Sequence, residues 1–297
     1  MLDYPALFAL AAVIQEGSFG RAAHRLNVTP SAVSQRIRQL EERVGGALVV
    51  RAHPCVGTEL GRLLCQHVHH IHVLEHDLQA LLPAMKDETH SPVNVPIAVN
   101  ADSLATWFMP ALAAFTQAHS VLVQVTVDDE RHTIEWLRKG TVLAAVTASE
   151  NLASGSSATP LGSMRYVSAA SPVFIARYFP SGVRLQDLQK APSLRFNAKD
   201  ELQQKWVERH FGQGLALPGH DIASPHAFVA AAQAGMGWAL HPQTMVSEAL
   251  RSGQLVELLP GSHLDVPLYW QQARSASGLL SELRRAVMAA ASAPTAS

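Results

Sequence analysis

Residues 18–41, SFGRAAHRLNVTPSAVSQRIRQLE, decide the fold of the amino-terminal part of the chain. They predict a helix from Phe19 to Leu26, a short turn, and a second helix from Pro30 to about Val44. Pro30 suits the first turn of a helix, where its missing N–H costs nothing. This order of helix, short turn and helix is the helix-turn-helix layout. A further helix, Tyr4 to Gln15, is predicted before it.

The helix that begins at Pro30 has a polar face suited to the major groove of DNA. In that groove a Gln side chain can pair with adenine, and an Arg side chain can pair with guanine through two hydrogen bonds. The alternative is an ordinary helical bundle whose arginines are solvated. We predict DNA contacts from five residues of this helix: Ser31, Ser34, Gln35, Arg36 and Arg38.

Charge is distributed unevenly along the chain. Six arginines and two glutamates fall between Arg21 and Arg51, which gives this segment a balance of +4, although the whole chain of 297 residues carries −1. The remainder is therefore net negative. A basic head on a mildly acidic body indicates a DNA-binding module attached to a second, different domain.

The next segment predicts two short strands and a long helix. Two short strands, residues 48–51 and 55–58, flank a turn that contains a proline, and a helix follows from Glu59 to Leu82. Apolar residues recur at threes, fours and sevens and predict an apolar seam: Leu60, Leu63, Leu64, Ile71, Leu74, Leu78 and Leu81. Of these, Leu64, Ile71 and Leu78 are spaced by sevens. A solitary helix of this length needs a partner, and the same helix of a second subunit is the most economical one. The polar stretch 83–92 predicts a hinge.

From Val93 onward, strands alternate with helices. Predicted strands at 93–99, 121–127 and 142–147 are separated by predicted helices at 103–118 and 130–139, and this order implies a mostly parallel sheet. Residues 160–163 are predicted to cross to a second set of strands and helices. The last strand and helix, 268–271 and 279–290, return to the first set.

Three of these stretches resemble one family, the LysR-type transcriptional regulators. Residues 18–41 resemble its winged helix-turn-helix, residues 48–51 and 58–61 its wing and linker helix, and residues 230–242, AAAQAGMGWALHP, its effector-domain signature. The resemblance implies a further DNA contact from Arg51 of the wing. The resemblance implies an α/β fold class with an N-terminal all-α winged helix-turn-helix and a two-lobed, periplasmic-binding-protein-like effector domain. The implied division is 1–58 (DNA binding), 59–82 (linker helix), 83–92 (hinge) and 93–297 (effector domain, lobe 1 at 93–163 plus 266–290 and lobe 2 at 164–265).

A narrower resemblance concerns the effector. Residues 98–107, AVNADSLATW, together with 128–130 and 269–270, look like the ArgP/LysG branch of the family. Members of that branch sense basic amino acids and activate an arginine or lysine exporter gene. The chain departs from the family pattern at His53–Val56, where a second wing arginine is usual, and at Ser224–His226, where relatives in the branch carry Glu.

The predicted effector site lies at the carboxyl ends of strands, where ligands bind in open α/β sheets. Ser103 is expected to cap the following helix, whose N–H groups and positive dipole end suit a carboxylate. Acidic residues on the opposite side suit the extra positive charge of lysine or arginine. In the alternative, Ser103 is only a cap and the acids only support a helix start. The predicted effector contacts are Asn100, Asp102, Ser103, Trp107, Asp128, Glu130, Thr147 and Ser224.

Other classes of function find little support. The sequence has no GxSxG, P-loop, GxGxxG after a strand, or HExxH motif, so we expect neither an enzyme nor a cofactor. A nucleoid-type DNA binder without an effector, and an enzyme with a DNA-binding head, remain alternatives. A histidine cluster has one pair at metal-chelating spacing, yet we expect no metal and interpret the cluster as one face of the linker helix: His67, His69, His70, His72 and His76.

Location and partners follow from composition and from the resemblance. The longest apolar run has nine residues, Ala6 to Ile14, which is far short of the roughly 18 that span a bilayer. Two cysteines cannot form a disulfide framework. We therefore expect a cytoplasmic homodimer or homotetramer that binds double-stranded DNA and a basic amino acid and has no membrane association.

Overall fold

The structure, a computed structural model, describes residues 3–82, 92–128, 133–138, 141–153, 155–273 and 278–292. All of the predicted hinge except Pro92 therefore lies outside the described residues. A π-helical turn at Leu104–Phe108 joins α5 to α6. The helices are α1 Tyr4–Glu16, α2 Phe19–Arg25, α3 Pro30–Val44, α4 Glu59–Leu81, α5 Ala101–Ser103, α6 Met109–Ala118, α7 Thr133–Arg138, α8 Pro172–Tyr178, α9 Leu185–Leu188, α10 Leu202–Phe211, α11 Pro225–Gln233, α12 Gln243–Arg251 and α13 Gly278–Ser292. The strands are β1 Val49–Val50, β2 Val56–Gly57, β3 Val93–Asn100, β4 Val121–Asp128, β5 Ala144–Thr147, β6 Ser156–Ala170, β7 Ser193–Arg195, β8 Gly219–Asp221, β9 Ala239–Pro242, β10 Val256–Glu257 and β11 Leu264–Ala273.

Local signals in the sequence set the bounds of the helix-turn-helix. The Thr29 hydroxyl accepts the Ala32 N–H at 3.2 Å and caps α3, and Pro30 occupies its first turn. Gly45 ends α3 in the left-handed region, with φ of 79°, which glycine adopts without steric cost. Strands β1 and β2 pair antiparallel and form the wing. The predicted helices and wing of this part are confirmed.

Helix α4 contributes to two of the hydrophobic cores formed by the described residues. Near its start a Cβ at Gly61 would overlap the backbone oxygen of Leu48, so only glycine permits this close packing. Cys65 and Val68 are buried in the amino-terminal core, whereas Val73 is buried in the core of the α/β part. The helix therefore packs against the DNA-binding head at one end and the effector domain at the other.

Only part of the predicted apolar seam on α4 is exposed. Leu60 and Leu64 are partly buried against the amino-terminal core of their own subunit. Leu63, Leu74 and Leu78 are instead 57%, 53% and 50% exposed. At about 100° per residue these three side chains lie within about 60° of one another around the helix. We call Leu63, Leu74 and Leu78 the α4 stripe.

The main sheet of the effector domain is mixed. Its strand order is β10-β6-β11-β5-β3-β4, with β9 also paired to β6. Strand β3 is parallel to β4 and β5, but β11 is antiparallel to both β5 and β6. The prediction of parallel pairing is confirmed for β3, β4 and β5, the strands from which it was made. The sheet as a whole is not mostly parallel, because the chain passes between the lobes along two long antiparallel strands rather than through short connections.

The segment expected to cross between lobes, residues 160–163, lies inside β6. Proline and glycine argue against a regular strand, and here they flank a bulge. Leu268 pairs with Gly162 and Tyr269 with Pro160, so Leu161 has no opposite residue. Bulges tolerate both residue types. Residues typical of a turn therefore lie at a position where the strand continues.

Strands β6 and β11 divide the effector domain into two lobes. In lobe 1, strands β3, β4 and β5 carry helices α5, α6, α7 and α13. In lobe 2, a small parallel pair, β7 and β8, lies with β9, β10 and helices α8 to α12. In the part of the chain that the structure describes, no helix has the length and apolar character needed to cross a membrane.

The carboxylate of Asp77 on α4 binds the start of α13 in lobe 1. The two oxygens of Asp77 accept the backbone N–H groups of Gly278 at 2.7 Å and Leu279 at 3.0 Å. Asp77 thereby acts as an N-cap for α13 from a different element.

We expect Asp77→Ala to lower the free energy of unfolding by about 1 kcal/mol, because two N–H groups at the start of α13 lose their acceptor. For a domain of this size, that loss lowers the melting temperature by about 2–4 °C. Thermal unfolding checks it, with Asp77→Asn as the control that retains an acceptor oxygen. Equal melting temperatures for Asp77→Ala and the unaltered chain would show that the cap contributes nothing.

Candidate binding sites

A cleft of about 480 Å³, part of it open to solvent, lies between the two lobes. Lobe 1 contributes the carboxyl ends of β3 and β4 and the start of α5. Lobe 2 contributes the loop before α10, the start of α11, and β9. The lining residues are Asn100, Ala101, Asp102 and Asp128 from lobe 1, and Phe196, Asp200, Leu202, Pro225, Phe228, Leu240, His241 and Pro242 from lobe 2.

Three carboxylates line this cleft, and a donor from the protein orients each of them. Asp102 accepts from the Tyr166 hydroxyl at 2.7 Å, and Asp128 accepts from the Trp136 indole N–H at 2.9 Å. Asp200 accepts two backbone N–H groups at 2.9 and 3.0 Å. The described lining residues include no Lys or Arg. The cleft therefore favours a ligand with positive charge.

Two side chains of the cleft are buried without hydrogen-bond partners among the described residues. Asn100 is 1% exposed, and neither its amide nitrogen nor its amide oxygen has a partner. His241 is 0% exposed, and both of its ring nitrogens are unpartnered. Burial lowers the pKa of His241 to about 4, so its ring is neutral at pH 7. Since buried polar groups are nearly always paired, these atoms indicate that a polar ligand enters the cleft.

The structure brings together three of the predicted effector residues, Asn100, Asp102 and Asp128. Glu130 lies outside the described residues. Four others do not line the cleft: Ser103, Trp107, Thr147 and Ser224. For these four residues and for Glu130, contact with an effector stays a prediction.

The role expected of Ser103 as a helix cap is wrong. Asn100 occupies the N-cap position of α5, while Ser103 sits at the end of its first turn. The Ser103 hydroxyl is fully buried and makes no capping bond. The helix begins earlier than predicted because β3 ends at Asn100 and the chain turns at once into α5.

The other three residues make local contacts. Trp107 packs edge-on against Phe108, with ring centroids 5.5 Å apart. The Thr147 hydroxyl accepts the N–H of Ser149 at 3.1 Å. Ser224 caps α11 by accepting the N–H of Ala227 at 3.4 Å, next to the cleft residue Pro225.

Sequence reasoning missed most of the lobe 2 wall, above all Asp200 and His241. One signal was available for each. Asp200 is a short acidic residue just before α10, and its N–H acceptor role is typical of a turn that starts a helix. His241 lies within residues 230–242, the stretch that resembles the effector-domain signature. Neither signal reveals which lobe 1 residues the side chains face.

The candidate DNA interface is the outer side of α3 and the wing. Ser31, Gln35 and Arg38 are exposed, and Ser34 is half-buried. Arg38 forms an ion pair with Glu42 at 3.2 Å. Arg36 is half-buried and lies about 100° around the helix from Gln35, on the flank of this face. On the wing, the exposed Arg51 lies over the Phe19 ring at 5.2 Å.

The histidines of α4 pack mainly against α1. His72 stacks on Phe8 at 5.0 Å and His67 on Tyr4 at 6.3 Å between ring centroids, and His69 lies 3.3 Å from the Gln15 amide. Burial lowers the pKa of His69 to about 4. Over the described residues, no group of three or more His, Cys, Asp or Glu could hold a metal ion.

Comparison with known families identifies both the amino-terminal part and the α/β part of the chain. Residues 5–62 match the family described as bacterial regulatory helix-turn-helix protein, lysR family. Residues 95–292 match the LysR substrate binding domain. The chain belongs to the LysR family of transcriptional regulators. Its family resemblance and its fold class are thereby confirmed.

Three relatives illustrate where this LysR-family regulator lies within the family. It is 44% identical over 280 residues to the transcriptional regulator ArgP of Pseudomonas fluorescens, covering 94% of this chain and 93% of the relative. The crystal structure of ArgP from Mycobacterium tuberculosis is 41% identical, with a TM-score of 0.85 and 98% of each chain covered. Full-length LysG from Corynebacterium glutamicum with bound effector Arg is 34% identical, with a TM-score of 0.72 and 98% of each chain covered. The resemblance to the ArgP/LysG branch is confirmed.

Proposed function

We propose that this regulator binds a basic amino acid, arginine or lysine, in the cleft between its lobes and that the bound amino acid controls its action at an operator. The observation that carries the proposal is the charge of the cleft: three oriented carboxylates, and no Lys or Arg among the described lining residues. The LysG relative with bound effector Arg supports the same ligand class.

The two ends of an amino acid suit opposite sides of this cleft. Its carboxylate suits the start of α5, where Asn100 and the backbone N–H groups of Ala101 and Asp102 lie, because N–H groups at a helix start favour anions. Its cationic side chain suits Asp128 and Asp200, because a charge-assisted hydrogen bond is stronger than a neutral one. The further predicted contacts are Ser103, Trp107, Glu130, Thr147 and Ser224.

Control of the operator requires two conformations with different affinity for the effector. A ligand that touches both lobes favours one lobe arrangement over others, and the equilibrium shifts by its difference in affinity. Helix α4 contacts lobe 1 through β3 and α13, so a movement of lobe 1 relative to lobe 2 carries the linker helix with it. We propose that this helix pairs with its copy in a homodimer or homotetramer. The proposed domains are residues 1–58 (DNA binding), 59–82 (linker helix), 83–92 (hinge) and 93–297 (effector domain).

The remaining assignments follow the relatives, which are named as transcriptional regulators. We propose that the protein acts in the cytoplasm, without catalytic turnover, and regulates a gene for amino-acid export or metabolism. DNA contacts are assigned to Ser31, Ser34, Gln35 and Arg38 on α3, with Arg36 on its flank and Arg51 on the wing.

Two substitutions test the DNA interface separately. We expect Gln35→Ala to cost about 1–3 kcal/mol at one base pair of the operator, because a base contact carries sequence information. We expect Arg51→Ala to weaken binding to all DNA sequences alike. It should also reduce the slope of log affinity against log salt by about one, because a phosphate contact releases a counterion.

A gel-shift salt series with operator and scrambled DNA measures both effects. Lys190→Ala is the matched control, since it removes one exposed positive charge from lobe 2. Wild-type affinity and salt slope in both variants would contradict docking through α3 and the wing.

A further inference from the structure

The unpartnered polar atoms of the cleft come from both lobes. Asn100 is the last residue of β3 in lobe 1, whereas His241 lies in β9 of lobe 2, where its backbone pairs with Val167 of β6. The His241 ring meets the Phe228 ring nearly at right angles, with centroids 5.8 Å apart. Strand pairing and ring packing therefore hold this imidazole in one place at the cleft wall.

We propose that His241 binds the effector directly and that, together with Asn100, it holds the amino and carboxylate groups that all amino acids share. This inference rests on the proposed function, because it takes the ligand of the cleft to be an amino acid. His241 then contacts the part of the ligand that all amino acids share, and the carboxylates of Asp128 and Asp200 contact its cationic side chain.

The chemistry of the side chains supports this division. A neutral imidazole offers one N–H donor and one nitrogen acceptor, and an asparagine amide offers two donors and a carbonyl acceptor. The amino and carboxylate groups of an amino acid need both kinds of partner. Asp128 and Asp200, when ionised, only accept hydrogen bonds, so they suit the cationic end and repel the carboxylate.

A purely structural role explains His241 poorly. Two unpaired ring nitrogens in a fully buried position cost stability, and an apolar side chain of similar shape would avoid that cost. Residues that reduce stability in the free protein are typical of binding sites, where the ligand supplies the missing partner.

The test measures ligand affinity and stability of full-length His241→Phe. Calorimetry with arginine and with lysine should show both affinities reduced by about 10- to 100-fold, with their ratio unchanged, because one hydrogen bond to a charged group is lost. Thermal unfolding without ligand should show a melting temperature no lower than that of the unaltered protein. His220→Phe is the control, since it alters an exposed histidine of the same lobe.

His241→Leu, which is smaller than the phenylalanine variant, repeats the test if His241→Phe unfolds at a lower temperature. Affinities within twofold of the unaltered protein in a folded variant would overturn the inference and leave the proposed function standing. A loss of affinity confined to arginine or to lysine would also overturn it, because His241 would then contact the side chain of the amino acid. If the unaltered protein binds neither amino acid, the proposed function fails, and this inference fails with it.

Discussion

Replacing Leu74 and Leu78 together by Asp yields a folded monomer that binds a two-half-site operator about 10²- to 10⁴-fold more weakly. Both side chains are half-exposed in the single subunit, so the charges are tolerated in the free chain. In an α4–α4 interface the same charges must be desolvated without a partner, which is costly. The operator loses affinity because two linked heads gain from effective concentration and a single head does not.

Light scattering measures the oligomeric state, and a gel shift on operator DNA measures the affinity. Val173→Asp is the matched control, because it places the same charge at the most exposed large apolar residue of α8, which is 77% exposed. A double variant that stays dimeric and binds the operator normally would show that surfaces other than the α4 stripe hold the subunits together.

Neutralising the acidic side of the cleft should abolish its preference for basic amino acids. We expect Asp128→Asn to weaken the binding of arginine and of lysine about 10- to 100-fold, because one charge-assisted hydrogen bond to the cation is lost. The amide keeps an oxygen that can accept from the Trp136 indole, so the local structure is retained. Glu248→Gln, which neutralises an exposed acid of α12, is the control and should bind as the unaltered protein does.

Much of the amino-terminal domain could be predicted because its signals are local. Thr29, Pro30 and Gly45 mark the ends of α3 through a cap, a fixed φ and a left-handed φ, and each effect depends only on neighbouring residues. The seam on α4 could not be predicted to the residue. Spacing by threes, fours and sevens places both Leu63, which is exposed, and Leu64, which packs on its own subunit, in one seam. The distinction between them depends on where the rest of the head lies.

The effector domain was predicted less completely because its key features depend on residues distant in sequence. The direction of β6 and β11 is set by pairing between segments about 100 residues apart, and Pro160 and Gly162 hid the strand. The lobe 1 side of the site could be predicted, because it lies at the carboxyl ends of β3 and β4. Asp200 and His241 in lobe 2 were missed, since only the folded arrangement of the lobes brings them opposite Asn100.

Calorimetry of the full-length protein with arginine and with citrulline tests the central claim most directly. Citrulline has nearly the shape of arginine and the same amino and carboxylate groups, but its side chain carries no charge. We predict that arginine binds at least 10-fold more tightly than citrulline and that Asp128→Asn removes most of this difference, because the carboxylates of the cleft act on the charge. Equal affinity for the two ligands, or no heat from arginine or lysine at millimolar concentration, would contradict the account.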